Sequence, residues 1–279
     1  IWIKTTGGKA DFSAAIVSSV IVAAALTASD DFTVASGALI VNAADQTSDI
    51  DIIAKNSSAT DNTVRIAVKD NGAAGVTGNL GGGIKLTTFA TATLTNNDAN
   101  GQATLGPVTA LGTNFTIAAG TQGFAVSNGS AINLNTGNLS VTGAGAVNLG
   151  ADVTAASVLG GSALGAITLG LKGLDFVGTV TTGVGNDVLS IYSAVRNNSG
   201  SYTLATGAGT DSLTVSISQP FSWNAGADYD SLKFDVDVDL SDKVVSLTSV
   251  DEILLDSLSA GSKTVTINPT TFASNNVFN

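Results

Sequence analysis

The sequence predicts an all-β chain, with a parallel β-solenoid (β-helix or β-roll-like) in its second half and an irregular β-rich or sandwich-like first half. The composition argues against helices, because only Glu252 among the 22 acidic residues is Glu and Met is absent. Asp, Asn, Gly, Ser and Thr are abundant instead, and these residues favour turns, caps and strands. A third observation, short apolar alternations at regular intervals, distinguishes the second half from the first.

Residues 1–110 form a predicted N-terminal β-rich region, to which we assign an assembly-related role as an expectation. Strand patterns occur in "DFTVASGALIV", "DIDIIAK" and "TVRIAVKD", separated by the turn signals "DNGAAG" and "NLGGG", without a visible repeat. The apolar run from Ala14 to Leu26 is shorter than the ~20 residues that span a bilayer. We predict a buried strand or short helix there, with an export or assembly segment as the alternative.

Residues 111–279 form the predicted solenoid region. The short strands "AINLN", "LSVTG" and "AVNLG" follow one another every seven or eight residues, with Asn, Gly and Thr between them. Three such strands with their turns make a coil of roughly twenty residues, which is the repeat expected of a parallel solenoid. A β-sandwich with Greek-key connections also contains many short strands and is the alternative.

A glycine–aspartate motif recurs within this region. The stretches "TTGVGNDVLSI", "ATGAGTDSLTV" and "NAGADYDSLKF" all fit Gly-x-(Gly or Asp)-x-Asp-x-Leu. Their first glycines are 24 and then 19 residues apart, close to the predicted coil length. The motif positions are Gly183, Gly185, Asp187 and Leu189; Gly207, Gly209, Asp211 and Leu213; and Gly226, Asp228, Asp230 and Leu232.

This motif is suited to calcium. Glycines permit tight turns that expose carbonyl oxygens, each Asp supplies a carboxylate, and the Leu begins a strand and points into the core. Calcium takes 6–8 oxygen ligands, more than one turn provides. We therefore expect ions between turns on successive coils, held by the nine motif residues that precede the leucines: Gly183, Gly185, Asp187, Gly207, Gly209, Asp211, Gly226, Asp228 and Asp230.

The charge of the chain restricts its partners. The net charge is −11, and 9 of these negative charges fall between Asp175 and Asp256. Nucleic acids and anionic membranes need clustered Lys and Arg, so neither is an expected partner. The chain has no His and no Cys, which excludes the usual zinc and copper sites and disulfides but leaves oxygen-liganded cations.

Other polar clusters are expected to be structural. In "KFDVDVDLSD" strand alternation predicts an inward apolar set from Phe234 to Leu240 and an outward, solvated acidic face. The pair Asp251 and Glu252 is predicted to lie on the surface. Trp2, Trp223 and Tyr229 are predicted to be core or interface anchors, with stacking on sugars as the alternative.

The three motif copies resemble the nonapeptide calcium repeats of RTX proteins, Gly-Gly-x-Gly-x-Asp-x-apolar-x, which form a parallel β-roll. Thr182, Thr206 and Ala225 replace the first glycine, and the copies are more widely spaced than in that family. In this respect residues 178–268 are more similar to bacterial surface-layer proteins and large RTX-type adhesins. The resemblance implies secretion, a calcium-dependent fold and an extracellular location at the cell surface.

Three functions from different classes are compatible with the sequence. The first is a structural protein without enzymatic activity, a calcium-dependent subunit that assembles with copies of itself into a surface layer or filament. The second is a calcium-stabilised adhesin or ligand-binding module, for which cell-surface polysaccharide is a candidate partner. The third is a β-helical polysaccharide-active enzyme, which the absence of His and Cys disfavours. No membrane span is expected.

Overall fold

The computed structural model describes residues 2–3, 9–11, 19–26, 30–69, 78–99, 101–127, 129–150, 152–172, 178–192, 200–255, 263–269 and 276–278. Within these ranges the chain forms two long sheets and one short sheet, all built from parallel strand pairs. The chain passes repeatedly from one long sheet to the other and back, so the two sheets wind into a solenoid. The predicted all-β class and parallel solenoid are confirmed.

Thirteen strands form the first long sheet, sheet A. They are β1 (Trp2–Ile3), β3 (Ser19–Val22), β5 (Ala38–Asn42), β7 (Thr63–Val68), β9 (Thr91–Asn96), β12 (Asn114–Ala118), β15 (Leu139–Gly143), β18 (Ser157–Ala163), β20 (Thr179–Thr181), β22 (Tyr202–Ala205), β24 (Phe221–Asn224), β27 (Val245–Val250) and β30 (Asn276–Phe278).

Fifteen strands form the second long sheet, sheet B. They are β2 (Lys9–Asp11), β4 (Asp30–Val34), β6 (Ile50–Ala54), β8 (Ile84–Thr87), β10 (Ala103–Leu105), β11 (Val108–Thr109), β13 (Phe124–Val126), β14 (Ala131–Asn133), β16 (Val147–Asn148), β17 (Asp152–Thr154), β19 (Ile167–Leu171), β21 (Val188–Ile191), β23 (Ser212–Val215), β25 (Ser231–Phe234) and β28 (Glu252–Leu255). The short sheet pairs β26 (Val238–Leu240) with β29 (Val265–Ile267).

The first half of the chain belongs to the same solenoid, which corrects the irregular or sandwich-like expectation for residues 1–110. Sheet A runs through β3, β5, β7 and β9, and β9 pairs in turn with β12. Each of these pairs is parallel, whereas a Greek-key sandwich is built from antiparallel pairs. The Ala14–Leu26 segment contributes β3 to this ladder, and residues 14–18 lie outside the described ranges.

The core is a set of apolar columns that run along the solenoid axis. Alternate side chains of a strand point to one face, so in-register parallel strands stack their inward residues on one another. The longest such column in sheet A is fully buried and consists of Val64, Ala92, Phe115, Leu139, Val158, Val180, Leu204, Trp223 and Leu247. Trp223 is thus the core anchor that the sequence predicts, whereas Tyr229 is exposed.

The acidic strand pattern is interrupted by a bend. Strand β25 ends at Phe234 and β26 begins at Val238, with a bend at Val236 between them. Val236 is therefore 37% exposed instead of pointing inward with Phe234 and Val238. The alternation prediction fails at this one residue because two short strands replace one long strand.

The described ranges contain no helix with the length and hydropathy needed to cross a bilayer.

Candidate functional site

The structure places three of the motif aspartates in one column at the edge of sheet B. Asp187, Asp211 and Asp230 immediately precede strands β21, β23 and β25, which pair in register. Asp251 holds the same position before β28, one coil further on. We call these four residues the aspartate ladder. Neighbouring members are one strand spacing apart along the axis, about 4.8 Å.

Hydrogen bonds connect the ladder from coil to coil. The backbone N–H of Asp187 donates to Oδ1 of Asp211 at 2.8 Å, and the N–H of Asp211 donates to Oδ1 of Asp230 at 2.8 Å. At the two ends, the N–H of Ile167 donates to Oδ1 of Asp187 at 2.7 Å and that of Asp230 donates to Oδ2 of Asp251 at 2.8 Å. Each carboxylate therefore satisfies a backbone donor of the preceding coil that would otherwise be buried without a partner.

The second carboxylate oxygen of three ladder members is not satisfied in this way. Asp187, Asp211 and Asp230 are at most 1% exposed, and their Oδ2 atoms make no regular hydrogen bond with the described residues. Buried polar atoms in proteins almost always have a partner. These three aligned oxygens are therefore the most unusual chemical feature of the site, and they are available to a proton or a cation.

Burial changes the acidity of the ladder. Desolvation raises the pKa of Asp187 from 3.8 to about 6, and it raises the pKa of Asp230 from 3.8 to about 6 as well. The pKa of Asp211 is also raised, again chiefly by desolvation. The Thr182 hydroxyl and the Gly183 N–H act in the opposite direction on the Asp187 pKa, although neither forms a regular hydrogen bond with its Oδ2.

The motif glycines are required for close contact between coils. A β-carbon on Gly226 would overlap the carbonyl oxygen of Gly207, and one on Gly207 would overlap the carbonyl oxygen of Gly183. Gly207 and Gly226 also have φ of +96° and +106°, which residues with side chains rarely adopt. Gly185 and Gly209 likewise pack against the backbone of the preceding coil. The glycines thus form a stacked turn beside the aspartate ladder.

The remaining sequence-predicted ligand, Asp228, is not part of this arrangement. It is exposed and has a φ of +83°, and its charge adds to the desolvation that raises the pKa of Asp211 and Asp230. The column of carboxylates contains Asp187, Asp211 and Asp230 from the prediction, but not Asp228.

The sequence interpretation missed the contributions of three residues. Asp251 was expected on the surface, but it is half-buried and extends the ladder. Its offset of 21 residues from Asp230 matches the motif spacing and could have revealed it. Thr182 and Thr206 stand where the RTX pattern has glycine, and their buried hydroxyls donate to the carbonyls of Thr206 and Ala225 at 3.1 and 2.8 Å.

The ladder fits calcium in donor type and only partly in donor number. Carboxylate and carbonyl oxygens are the ligands that calcium prefers, and the partnerless Oδ2 atoms are of this type. Among the described residues, however, no three acidic side chains converge on one point suitable for a metal ion. A column of this kind offers two neighbouring carboxylates to each ion. Backbone carbonyls or water would have to complete the coordination shell of calcium.

Apart from the buried aspartate ladder, a groove lies on the outer face of sheet B. This groove of about 440 Å³ crosses strands β19, β21 and β23, with hydroxyls from Ser190 and Thr214 along its floor. Tyr192 lines one side, and its hydroxyl donates to Oδ1 of Asp152 at 2.8 Å. This hydrogen bond lowers the pKa of Asp152, with a further contribution from Lys172.

Comparisons of the chain with protein-family models, with curated proteins and with solved structures find no match.

Proposed function

We propose that this chain is an extracellular structural protein, a subunit that assembles with copies of itself into a surface layer or filament at the cell surface. One observation carries the proposal: two long parallel sheets share one uninterrupted apolar core. A solenoid of this kind offers extended outer faces for contact with neighbours. This role needs no chemical turnover.

Calcium has a specific place in this proposal. At the pH outside a cell the aspartate ladder carries buried negative charges about 4.8 Å apart, which repel one another. A calcium ion bound by the Oδ2 atoms of neighbouring aspartates would compensate these charges and favour the folded coils. Calcium would then stabilise the subunit outside the cell, and assembly would follow folding.

The test is a calcium titration of the purified chain, followed by chelation with EGTA. Far-UV circular dichroism reports folding and light scattering reports assembly. The proposal predicts that calcium increases the β-signal and produces large ordered particles. Folding without particles would contradict the assembly role, and indifference of both signals to calcium would contradict the calcium role.

A set of single substitutions tests whether the ladder itself binds the ion. Asp211 has a ladder neighbour on either side, so Asp211→Ala is expected to reduce calcium affinity more than Asp187→Ala or Asp230→Ala. The exposed Asp61, which is not part of the motif, provides a matched control, and Asp61→Ala should change the affinity least. Isothermal titration calorimetry measures all four variants, and equal losses throughout would argue against a shared column of ions.

The groove on sheet B supports a second candidate, a calcium-stabilised module that binds a cell-surface polysaccharide. An aromatic wall beside a hydroxyl-lined floor is the arrangement that recognises sugar rings. Affinity electrophoresis in gels that contain neutral polysaccharides distinguishes the two candidate functions. It compares wild type with Ser190→Trp, in which the Trp side chain fills the groove. Retardation of wild type alone would favour the binding module.

A further inference from the structure

A shallow groove on the outer face of sheet A combines apolar and cationic side chains. It has a volume of about 270 Å³ and lies across β5, β7 and β9. Half-buried Leu39 and Val41 line it, and exposed Arg65 and Lys69 stand on β7 and directly after it. We call these four residues the cationic groove. Four residues of extended chain place the two cations about 13 Å apart on one face.

The two cations of this groove differ in their pairing from other cations that the structure describes. Neither Arg65 nor Lys69 forms an ion pair with the described residues, although the chain contains twice as many acidic as basic residues. Elsewhere on the outer surface, Lys85 and Lys172 pair with Asp51 and with the Asp152 carboxylate, both at 3.2 Å. Within the described ranges the groove therefore presents positive charge without a paired acid beside apolar surface. An acidic partner that also carries apolar side chains would be complementary to it.

The same chain presents a surface of that composition near its C-terminal end. The segment from the bend before β26 to the start of β27 exposes Val236 by 37% and Val244 by 59%, with the exposed Asp237, Asp239 and Asp242 between them. We call these five residues the acidic ridge. Asp242 forms an ion pair with Lys243 at 3.1 Å, so Asp237 and Asp239 supply the net negative charge.

Local hydrogen bonds fix the carboxylates of the ridge. The N–H of Thr264 donates to Oδ1 of Asp237 at 2.8 Å, and the N–H of Ser241 donates to Oδ1 of Asp239 at 3.0 Å. The contact with Ser241 lowers the pKa of Asp239, so this carboxylate is firmly ionised at neutral pH. The ridge therefore offers charges at defined positions and loses little side-chain entropy on binding.

We propose that the cationic groove of one copy receives the acidic ridge of a second copy. This inference rests on the proposed self-assembly and names the surfaces that carry it. In this contact the valines of the ridge cover Leu39 and Val41. The long side chains of Arg65 and Lys69 converge on Asp237 and Asp239, which are about 7 Å apart. Groove and ridge are different surfaces, so the contact is heterologous and leads to chains or rings of copies instead of closed two-fold dimers.

Charge reversal of the groove tests this contact. The double variant Arg65→Glu/Lys69→Glu places like charges opposite the ridge, and the concentration at half-assembly should rise about tenfold or more by light scattering. Lys55→Glu/Lys85→Glu is the control, because it makes the same change in net charge on sheet B. Lys55 directly follows β6, and Lys85 lies within β8. Circular dichroism and thermal melting verify that both variants fold.

Reversal of the ridge provides the complementary test. Asp237→Lys/Asp239→Lys should weaken assembly by a similar factor, and the chain carrying all four substitutions should assemble within about threefold of wild type. Failure of the four-fold variant to recover, or normal assembly of the groove variant, would overturn the inference. A wild-type chain that does not assemble at all would instead refute the proposed function itself.

One further outcome identifies a different occupant. If the groove variant assembles normally but loses binding to an acidic polysaccharide such as alginate, the groove recognises a glycan and the proposed contact between copies is wrong. Wild type and the control variant, tested in the same gel, set the scale for this comparison.

Discussion

At the scale of single residues, the aspartates of the ladder have two roles that compete. One carboxylate oxygen of Asp211 satisfies the backbone N–H of Asp187, while the other is buried without a partner. The hydrogen bond stabilises the stacked coils, whereas the desolvated charge opposes folding. The balance therefore depends on what neutralises the second oxygen.

Two substitutions at one position separate these roles. Asp211→Asn retains an acceptor for the Asp187 N–H and removes the charge, whereas Asp211→Ala removes both. In EGTA the Ala variant is expected to be about 1–3 kcal/mol less stable than the Asn variant, because it leaves a buried donor unsatisfied. Urea unfolding followed by circular dichroism measures the difference, and equal stabilities would show that the hydrogen bond contributes little.

The raised pKa values predict an unusual pH dependence. Asp187 and Asp230 have a pKa of about 6 in the folded chain against 3.8 as the ordinary value, so between these pH values the folded state binds more protons than the unfolded state. The free energy of unfolding therefore falls as the pH rises through this window, by an amount on the order of 2 kcal/mol. Below pH 3.8 the stabilising contribution of the two protonated carboxyl groups is fully present, and above pH 6 this contribution is lost.

Denaturant titrations in EGTA at pH 4.5 and 7.5 provide the measurement. We expect greater stability at pH 4.5, and saturating calcium should reduce the difference by stabilising the ionised ladder at pH 7.5. The opposite sign in EGTA, with stability increasing from pH 4.5 to 7.5, would mean that the ladder carboxylates are not desolvated in solution. Asp187→Asn/Asp230→Asn is the control, and it should lose most of the pH dependence.

At the scale of elements, the turns between strands determine how closely successive coils approach. The turn from β24 to β25 passes through Gly226, which packs directly on Gly207 of the preceding turn. A side chain at this position would separate the two turns and disturb the ladder beside them. The glycines are therefore part of the mechanism that aligns Asp211 with Asp230.

Two glycines with similar backbone geometry test this explanation. Gly226→Ala combines a φ of +106° with overlap against the backbone of the preceding coil, whereas Gly37 has a φ of +81° and no atom within 4 Å of an added β-carbon. We expect Gly37→Ala to cost about 1 kcal/mol and Gly226→Ala about 3 kcal/mol or more. Thermal and urea unfolding compare them, and similar costs would indicate that φ alone explains both.

The elements also show which parts of the fold were predictable from sequence. Spacings of 24 and 19 residues between motif copies predicted the stacking of Asp187, Asp211 and Asp230, because similar coil lengths place similar residues in one column. In the first half the register spacings are 20, 26, 28 and 23 residues, so no constant period marks the coils there. The strand patterns were visible, but their parallel pairing was not.

The chemistry of the site was predictable only in outline. Residue types indicated carboxylates and tight turns, but whether a glycine exposes its carbonyl or packs against another backbone depends on the distance between coils. Gly207 belongs to the second case. Similarly, the bend at Val236 breaks a regular alternation that contains no Gly or Pro to signal it.

At the scale of the whole molecule, each coil contacts chiefly the coils before and after it. In sheet A each strand pairs with the strands of the coils before and after it. Among the described strands, β12 pairs with β9 and β15. Stability in such an arrangement is a sum of contributions from coils and from the interfaces between neighbours. A defect should therefore have local consequences.

Truncation of one core side chain tests this locality. Phe115 is fully buried in the longest apolar column of sheet A. Phe115→Ala should lower the free energy of unfolding by about 3–5 kcal/mol. Hydrogen exchange measured by mass spectrometry should accelerate most in β9, β12 and β15 and least in distant β24 and β25. Uniform acceleration along the chain would indicate a single cooperative unit instead.

The neighbour-only pairing of coils also has a mechanical consequence. Tension applied between the two ends of the molecule acts along the solenoid axis. It is borne by the strand pairs between one coil and the next. A coil of about 24 residues that detaches converts an axial rise of about 4.8 Å into roughly 80 Å of extended chain. The molecule would therefore lengthen under load in small successive steps and absorb work at each one.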